Sequence, residues 1–239
     1  DVQMSLLQDL VATGKPVVLL NFSGRATVMK WESEHVQAIM NVWFGGSETA
    51  DAVADVLFGD VCPSGKLTVS MPQSTGQMPL YYNHLPTGRP VADGAKEYHK
   101  YASNYLDVRN DALYPFGFGL SYTSFSYGDI RLDADQMAQN GKIKATMTIK
   151  NTGSRDGDEI AQLYISDRVA SISRPVKELK GFQRIHLAAG ESKDVTFDVT
   201  PELLKYYDSN LNYVLDPGEF LLMIGPNSRD AKQVTFTVK

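Results

Sequence analysis

The sequence predicts an α/β segment followed by an all-β sandwich, and three observations carry that prediction. Two continuous apolar runs, residues 17–22 and 38–44, follow other elements in the way that strands buried on both faces of a parallel sheet do. From Phe125 onward the hydrophobic period is two, and no long helical pattern interrupts it. Between the two regimes lies the stretch 113–127. Pro115, Gly117 and Gly119 forbid a regular helix there, and it carries too many aromatic residues for a flexible linker. Its Tyr114, Phe116, Phe118 and Tyr122 are expected to be buried between two bodies and to fix their angle. Truncating Phe116 or Tyr122 to Ala would then cost about 3–5 kcal/mol.

Taken in order, residues 1–13 read as an amphipathic helix with Met4, Leu7, Leu10 and Val11 on one stripe, closed by Gly14. Asp1 is not an initiator, and the pattern starts as if midway through an α/β array, so earlier strands are expected in sequence before residue 1. Ser47 is expected to cap the next helix, with Ala50, Val53, Ala54 and Leu57 facing inward until Phe58-Gly59 ends it. A short strand is expected over 66–71, stopped by Pro72. Residues 72–112 show no period and hold five of the tyrosines (Tyr81, Tyr82, Tyr98, Tyr101 and Tyr105) with His84 and His99. A loop of that length inside a compact domain tends to be functional. Its aromatic and polar side chains suit a sugar, and a segment simply tied down on the protein's own surface is the equal alternative. About seven strands follow, 143–150, 160–165, 176–182, 195–199, 220–224 and 234–238 among them, with turns at Asp156-Gly157, Ala189-Gly190 and Asp216-Pro217-Gly218. The expected organisation is 1–112 α/β, including the loop at 72–112, then the 113–127 connector, then 128–239 sandwich.

Composition narrows the function classes. Hydrophobic residues make up 43%, charged residues 21%, and the formal net charge is −5, without a Lys/Arg cluster that would suit nucleic acid. No run approaches the roughly 20 apolar residues of a membrane span. Cys62 is the single cysteine and is expected to be a small packed residue. Gly45-Gly46 matches no dinucleotide fingerprint, and no phosphate-loop pattern occurs. His35, His84, His99 and His186 form no ligand-spaced pair for zinc. Asp156, Asp158 and Glu159 around Gly157 have the wrong spacing for a calcium loop and read as an acidic hairpin turn. Among the carboxylates, Glu48, Asp51 and Asp55 fit an exposed helix face. Glu97 and Asp107, in the aromatic loop, are the two to place near a cleft.

Several pieces then point to a family. Asn41-Val42-Trp43-Phe44-Gly45-Gly46, Ala54-Asp55-Val56-Leu57-Phe58-Gly59-Asp60, Pro63-Ser64-Gly65-Lys66-Leu67 and Tyr114-Pro115-Phe116-Gly117-Phe118-Gly119-Leu120-Ser121-Tyr122-Thr123 closely resemble the C-terminal half of family 3 glycoside hydrolases. The similarity is strongest to bacterial periplasmic β-glucosidases. It continues through Asn151-Thr152-Gly153, Gln162-Leu163-Tyr164, Arg174-Pro175-Val176-Lys177-Glu178-Leu179-Lys180-Gly181-Phe182 and Ala189-Gly190-Glu191, which resemble that family's fibronectin-type-III-like domain.

The resemblance implies the C-terminal part of an α/β sandwich domain followed by a fibronectin-type-III-like β-sandwich. It implies a retaining exo-hydrolase whose aspartate nucleophile and glutamate acid/base lie in preceding sequence. No catalytic residue maps onto this chain, which alone is expected to be inactive, and no metal or cofactor is implied. The substrate-cleft candidates are His84, Arg89, Glu97, Tyr98, Tyr105 and Asp107. Expected partners are the remaining N-terminal part of the same enzyme, as the same or a separate chain, and a β-glucoside or oligosaccharide. Nucleic acid and membrane are not expected, and the location implied is periplasmic or secreted. A non-catalytic carbohydrate-binding or structural module, and a relative with xylosidase, arabinosidase or N-acetylglucosaminidase specificity, stand as alternatives.

Overall fold

The computed structural model describes residues 1–92, 94–95 and 97–239. Asp1 caps the first helix, α1 (Val2–Ala12), by accepting the Gln3 N–H at 3.0 Å, and Gly14 leaves it with a left-handed φ of 73°. Strands β1 (Val18–Asn21) and β2 (Ala38–Asn41) then pair in parallel, Val18 opposite Ala38 and Asn21 opposite Asn41. A parallel pair needs a crossover, and α2 (Lys30–His35) lies within it. After β2 comes α3 (Thr49–Phe58), closed by Gly59 in the left-handed region.

The 17–22 run, expected to be buried against neighbours some of which precede residue 1, is partly open within this chain, with Val18 50% and Phe22 57% exposed. Three expectations for this region are corrected. Ser47 does not cap α3; the cap position is Glu48, without a side-chain bond, and Thr49 Oγ1 donates to the Gly46 carbonyl at 2.6 Å instead. Ala50 and Leu57 on that helix are exposed rather than turned inward. The short strand expected over 66–71 does not form. Its backbone bonds go to the 113–118 stretch: the Leu67 N–H to Phe118 O, Gly117 N–H to Leu67 O, Met71 N–H to Tyr114 O and Leu113 N–H to Met71 O, all between 2.7 and 2.8 Å. Only one bridge, Met71 to Tyr114, reaches strand geometry. Pro115 has no N–H to give, and Gly117, at φ 81°, turns the chain out of the ladder.

Among the described residues of 72–112 the backbone is irregular except for a 3₁₀ turn, Thr75–Gln77, and an isolated bridge, Pro90 to Ser103. The chain then becomes all-β apart from one short helix, α4 (Pro201–Leu204). Strands β3 (Phe125–Tyr127), β4 (Arg131–Leu132), β6 (Ile143–Asn151) and β9 (Ser192–Val199) form one sheet, with β6 at its centre. The other runs β5 (Gln136–Met137), β13 (Lys232–Val238), β12 (Gly218–Gly225), β7 (Gly157–Asp167) and β8 (Glu178–Leu187). A small hairpin, β10 (Tyr206–Tyr207) with β11 (Tyr213–Val214), stands apart. The described residues thus hold more strands than the seven expected, several of them two residues long. The expected 176–182 strand begins later, at Glu178, because Val176 bonds elsewhere.

Alternation builds the core. Ile143, Ala145, Met147 and Ile149 of β6 and Val195, Phe197 and Val199 of β9 face Leu163, Leu222, Ile224 and Phe236 of the second sheet. Asn151 ends β6 fully buried and satisfied. It accepts from the Thr123 hydroxyl at 2.6 Å and the Gly153 N–H at 3.1 Å, and donates to the Arg155 and Leu187 carbonyls.

Two strands break the alternation, β12 from Leu222 to its end and β7 along its middle. β7 is buried at every position from Ala161 to Ser166, because the 113–118 stretch packs over its outer side. Gln162 donates to the carbonyls of Gly117 and Pro226 and accepts from Tyr164, so a side chain at position 117 would collide with its amide. Glu159 does not sit in a hairpin turn as expected. It is buried on β7 and pairs with Lys66 at 2.9 Å, and Lys66 also donates to the Gly119 carbonyl at 3.1 Å. Asp158, one residue earlier, faces solvent and binds Arg184 and His186. Cys62 is half-buried, its Sγ 3.2 Å from the Ser121 hydroxyl.

The connector aromatics divide. Tyr82 stacks on Phe116 with ring centroids 4.3 Å apart, and Tyr114 on Phe118 at 5.1 Å. Tyr122 is not the buried anchor expected: it is 45% exposed and gives the junction one hydrogen bond, from its hydroxyl to the Val56 carbonyl at 2.7 Å. Its loss to Ala would cost well under the 3–5 kcal/mol of a buried aromatic.

Candidate functional site

The long loop and α2 enclose a cleft of about 420 Å³. On one wall α2 presents Lys30 and Glu34, four residues apart and therefore on one face. The opposite wall is the loop, with Glu97, Tyr98, Tyr105, Asp107 and Arg109. Gln73 and Leu113 contribute where the loop enters and leaves.

Two asparagines give this irregular backbone a shape. Asn104 accepts the His99 N–H at 2.8 Å and donates to the His99 and Ala102 carbonyls. Asn110 accepts the Tyr105 N–H at 3.2 Å and donates to the Ser103 carbonyl at 2.6 Å. Short amide side chains that bond nearby backbone groups substitute for the missing ladder. The site therefore joins acidic, basic and amide groups to two tyrosine rings, a lining that suits a polyhydroxyl ligand with both polar edges and apolar faces.

Of the six cleft candidates read from the sequence, Glu97, Tyr98, Tyr105 and Asp107 are brought together here. His84 and Arg89 are not. The His84 ring bonds the Leu85 carbonyl at 2.9 Å and its own carbonyl accepts from Val176, while Arg89 donates to the Tyr101 carbonyl at 3.3 Å. Both serve the loop's backbone, and His84 also meets the sandwich through Val176. In the sequence nothing singles out Lys30, Arg109, Asn104 or Asn110, and Glu34 counts only among the available carboxylates, without a place near a cleft. Helix α2 has only six residues, too few for a periodic signal, although Trp31 and His35 stack at 4.2 Å along one face of it. Asn104 and Asn110 carried a local clue, because asparagine in a long irregular stretch commonly ties a turn.

Among the described residues, no group of three or more His, Cys, Asp or Glu side chains is placed to hold a metal ion, and no helix is long and apolar enough to cross a membrane. A second hollow, about 290 Å³, lies beyond the strand ends between Arg25, Trp43 and Thr68.

Residues 1–122 match the glycosyl hydrolase family 3 C-terminal domain, and residues 159–228 match the fibronectin type III-like domain. A periplasmic beta-glucosidase of Salmonella typhimurium is 46% identical over 98% of this chain, which covers 30% of that protein. A beta-xylosidase of Formosa agariphila is 40% identical over the whole chain, covering 32% of its own length. Among solved structures, a beta-glucosidase from Listeria innocua in complex with isofagomine superposes with a TM-score of 0.93 at 42% identity, over 99% of this chain and 33% of that one. The chain thus spans about a third of the length of the relatives it matches, and always their C-terminal part. With its first half matching the family's C-terminal domain and its whole length aligning to family members, the chain belongs to glycosyl hydrolase family 3.

Proposed function

We propose that this chain is the C-terminal portion of a retaining, exo-acting β-glucosidase that removes terminal non-reducing β-D-glucosyl residues. The observation that carries the reading is the likeness, along the whole chain, to β-glucosidases in both sequence and backbone. The nucleophilic aspartate and the acid/base glutamate come from N-terminal sequence. Retention needs two carboxylates about 5–5.5 Å apart across the scissile bond, and the aspartate forms the covalent glycosyl-enzyme. The part contributed here is the wall of the cleft: Glu97, Tyr98, Tyr105 and Asp107 meet the leaving-group side of the substrate. The uncovered surface of β1, of the turn after β2 and of α3, with Val18, Phe44 and Phe58 exposed, is what the N-terminal portion covers. The domain organisation proposed is an α/β part over 1–112, a connector over 113–127 whose last three residues, as β3, already pair with β6 of the sandwich, and the rest of the sandwich over 128–239. The location is periplasmic or secreted, in line with the Salmonella relative's name.

A second reading, hydrolysis of β-xylosides, is favoured by the Formosa relatives, which are 40% identical. Assay of the intact enzyme on 4-nitrophenyl β-D-glucoside and β-D-xyloside decides between them. A higher kcat/KM on the glucoside supports the first reading, and the reverse order overturns it. The 239-residue chain assayed alone is expected to cleave neither.

A further inference from the structure

The cleft loop is held at two places, and neither belongs to the cleft's open face. At its neck Gln77, 1% exposed, uses its whole amide. Its Oε1 accepts from the Gln73 N–H at 2.6 Å and the Ser74 N–H at 3.3 Å, and its Nε2 donates to the Arg109 carbonyl at 2.7 Å and the Asp111 carbonyl at 3.4 Å. Gln73, also buried, adds a bond from Nε2 to the Asp111 carbonyl at 2.7 Å. The outgoing and returning strands of the loop are thus tied by side chains whose every polar atom would be costly to leave unmade.

The second hold comes from the sandwich. The Val176 N–H donates to the His84 carbonyl at 2.9 Å, and the Leu179 N–H to the Tyr82 hydroxyl oxygen at 3.1 Å. Tyr82 is itself fixed, stacked on Phe116 and edge-on to Tyr164 at 5.9 Å. The described residues of 85–110 follow these holds in sequence, and Glu97, Tyr98, Tyr105 and Asp107 among them form one cleft wall.

We infer that Gln77 and Tyr82 are positioning residues that set the height of that wall, and with it the affinity for a sugar leaving group rather than the rate of bond cleavage. The sandwich, which gives the cleft no side chain, acts on specificity through Tyr82. The inference rests on the β-glucosidase reading above.

The test uses the intact enzyme with Tyr82→Phe, which removes one acceptor and leaves the ring, and Gln77→Glu, which removes the donor. Substrates are laminaribiose, whose leaving group is a sugar, and 4-nitrophenyl β-D-glucoside, whose leaving group is a small ring. Hydrogen exchange over 85–110 is followed alongside. Expected are faster exchange confined to that segment and a rise in KM for laminaribiose, about three- to tenfold for Tyr82→Phe, the range one neutral hydrogen bond supports, and larger for Gln77→Glu, which loses two. The kcat for laminaribiose and both constants for the aryl glucoside should stay within about twofold.

An equal fall on both substrates, or exchange rising throughout the chain, overturns the inference in favour of general scaffolding. Exchange that stays at the wild-type rate in Tyr82→Phe shows that the hold is absent. Exchange that rises in 85–110 without any kinetic change severs the loop from recognition and leaves the β-glucosidase reading standing. A wild-type enzyme that cleaves neither glucoside removes that reading, and this inference with it.

Discussion

Lys66 lies just before the stretch that lines up with the connector, and Glu159 lies on the sandwich strand beneath it, so removing either charge tests the junction between them. At 2.9 Å and an effective permittivity of about 20, their attraction is about 6 kcal/mol. The side chains are 11% and 5% exposed, and withdrawing each ion from water costs several kcal/mol, so gain and loss nearly cancel. The two single variants should therefore differ sharply from the double. Glu159→Leu strands the Lys66 ammonium with one partner, the Gly119 carbonyl, and should cost about 4 kcal/mol. Lys66→Met leaves Glu159 with the Ile160 N–H at 2.9 Å, so about 3 kcal/mol is expected. The double variant replaces a buried ion pair by apolar side chains of similar volume and should cost about 1 kcal/mol or less. Urea unfolding followed by far-UV circular dichroism gives the three midpoints and slopes, and hence the coupling energy. Costs that simply add, or single variants each below about 1 kcal/mol, would refute the account of a buried, mutually dependent pair.

Other perturbations read different parts of the fold. Asn151→Ala removes a fully buried amide that makes four hydrogen bonds and should lower stability by about 2–4 kcal/mol, seen as a lower urea midpoint at unchanged slope. Gly117→Ala places a side chain at φ 81° against the Gln162 amide. A cost of about 2–3 kcal/mol is expected, and a thermal midpoint equal to that of wild type would contradict the packing. Asp216 accepts hydrogen bonds from the Tyr206 hydroxyl and the Ser171 N–H, and chiefly through Tyr206 its carboxyl is held below the usual 3.8. The folded form thus binds this proton less readily than the unfolded form. Its contribution is complete above the ordinary carboxylate range and is lost as pH falls through the lowered value. Unfolding midpoints taken from pH 5 downward should show Asp216→Asn losing less stability than wild type; parallel curves would count against the link.

What the sequence disclosed depended on whether a signal was local. The β6 pattern, Ile143 through Ile149 alternating with lysines and threonines, needed only one solvated and one buried face and appears as read. The turn at Gly59 was equally legible, because a left-handed cap favours glycine. The 66–71 stretch misled because its composition suits a strand while its partner carries Pro115 and Gly117, a fact of tertiary pairing. The cleft was half legible for a similar reason. Aromatic and acidic residues in an unpatterned loop marked Glu97, Tyr98, Tyr105 and Asp107, whereas Lys30 and Glu34 reach the cleft only through the crossover between β1 and β2. His84 and Arg89 had the same composition as the true lining, and only the hydrogen bonds to their surroundings separate them.

Glu159 shows why the sandwich cannot be a loosely appended module. Taken with Asp156 and Asp158 it read as solvated charge, which is correct for Asp158, whose partners Arg184 and His186 face water. A strand with one wet face would keep alternating beyond that point, yet Gln162, Tyr164 and Ser166 are as buried as Ala161, Leu163 and Ile165. From Gln162 on, the outer face of β7 is therefore spent on the connector, where each polar group has a named partner: Gln162 with Gly117 and Pro226, and Tyr164 with Gln162. Glu159, on the opposite face with Ala161 and Leu163, meets the α/β part through Lys66. Turning the sandwich relative to the α/β part would break the Lys66–Glu159 pair and the Gln162–Gly117 bond together in a dry setting, where each unmade bond is costly. The same rigidity lets backbone groups as remote from the cleft as Val176 and Leu179 hold the loop that shapes it.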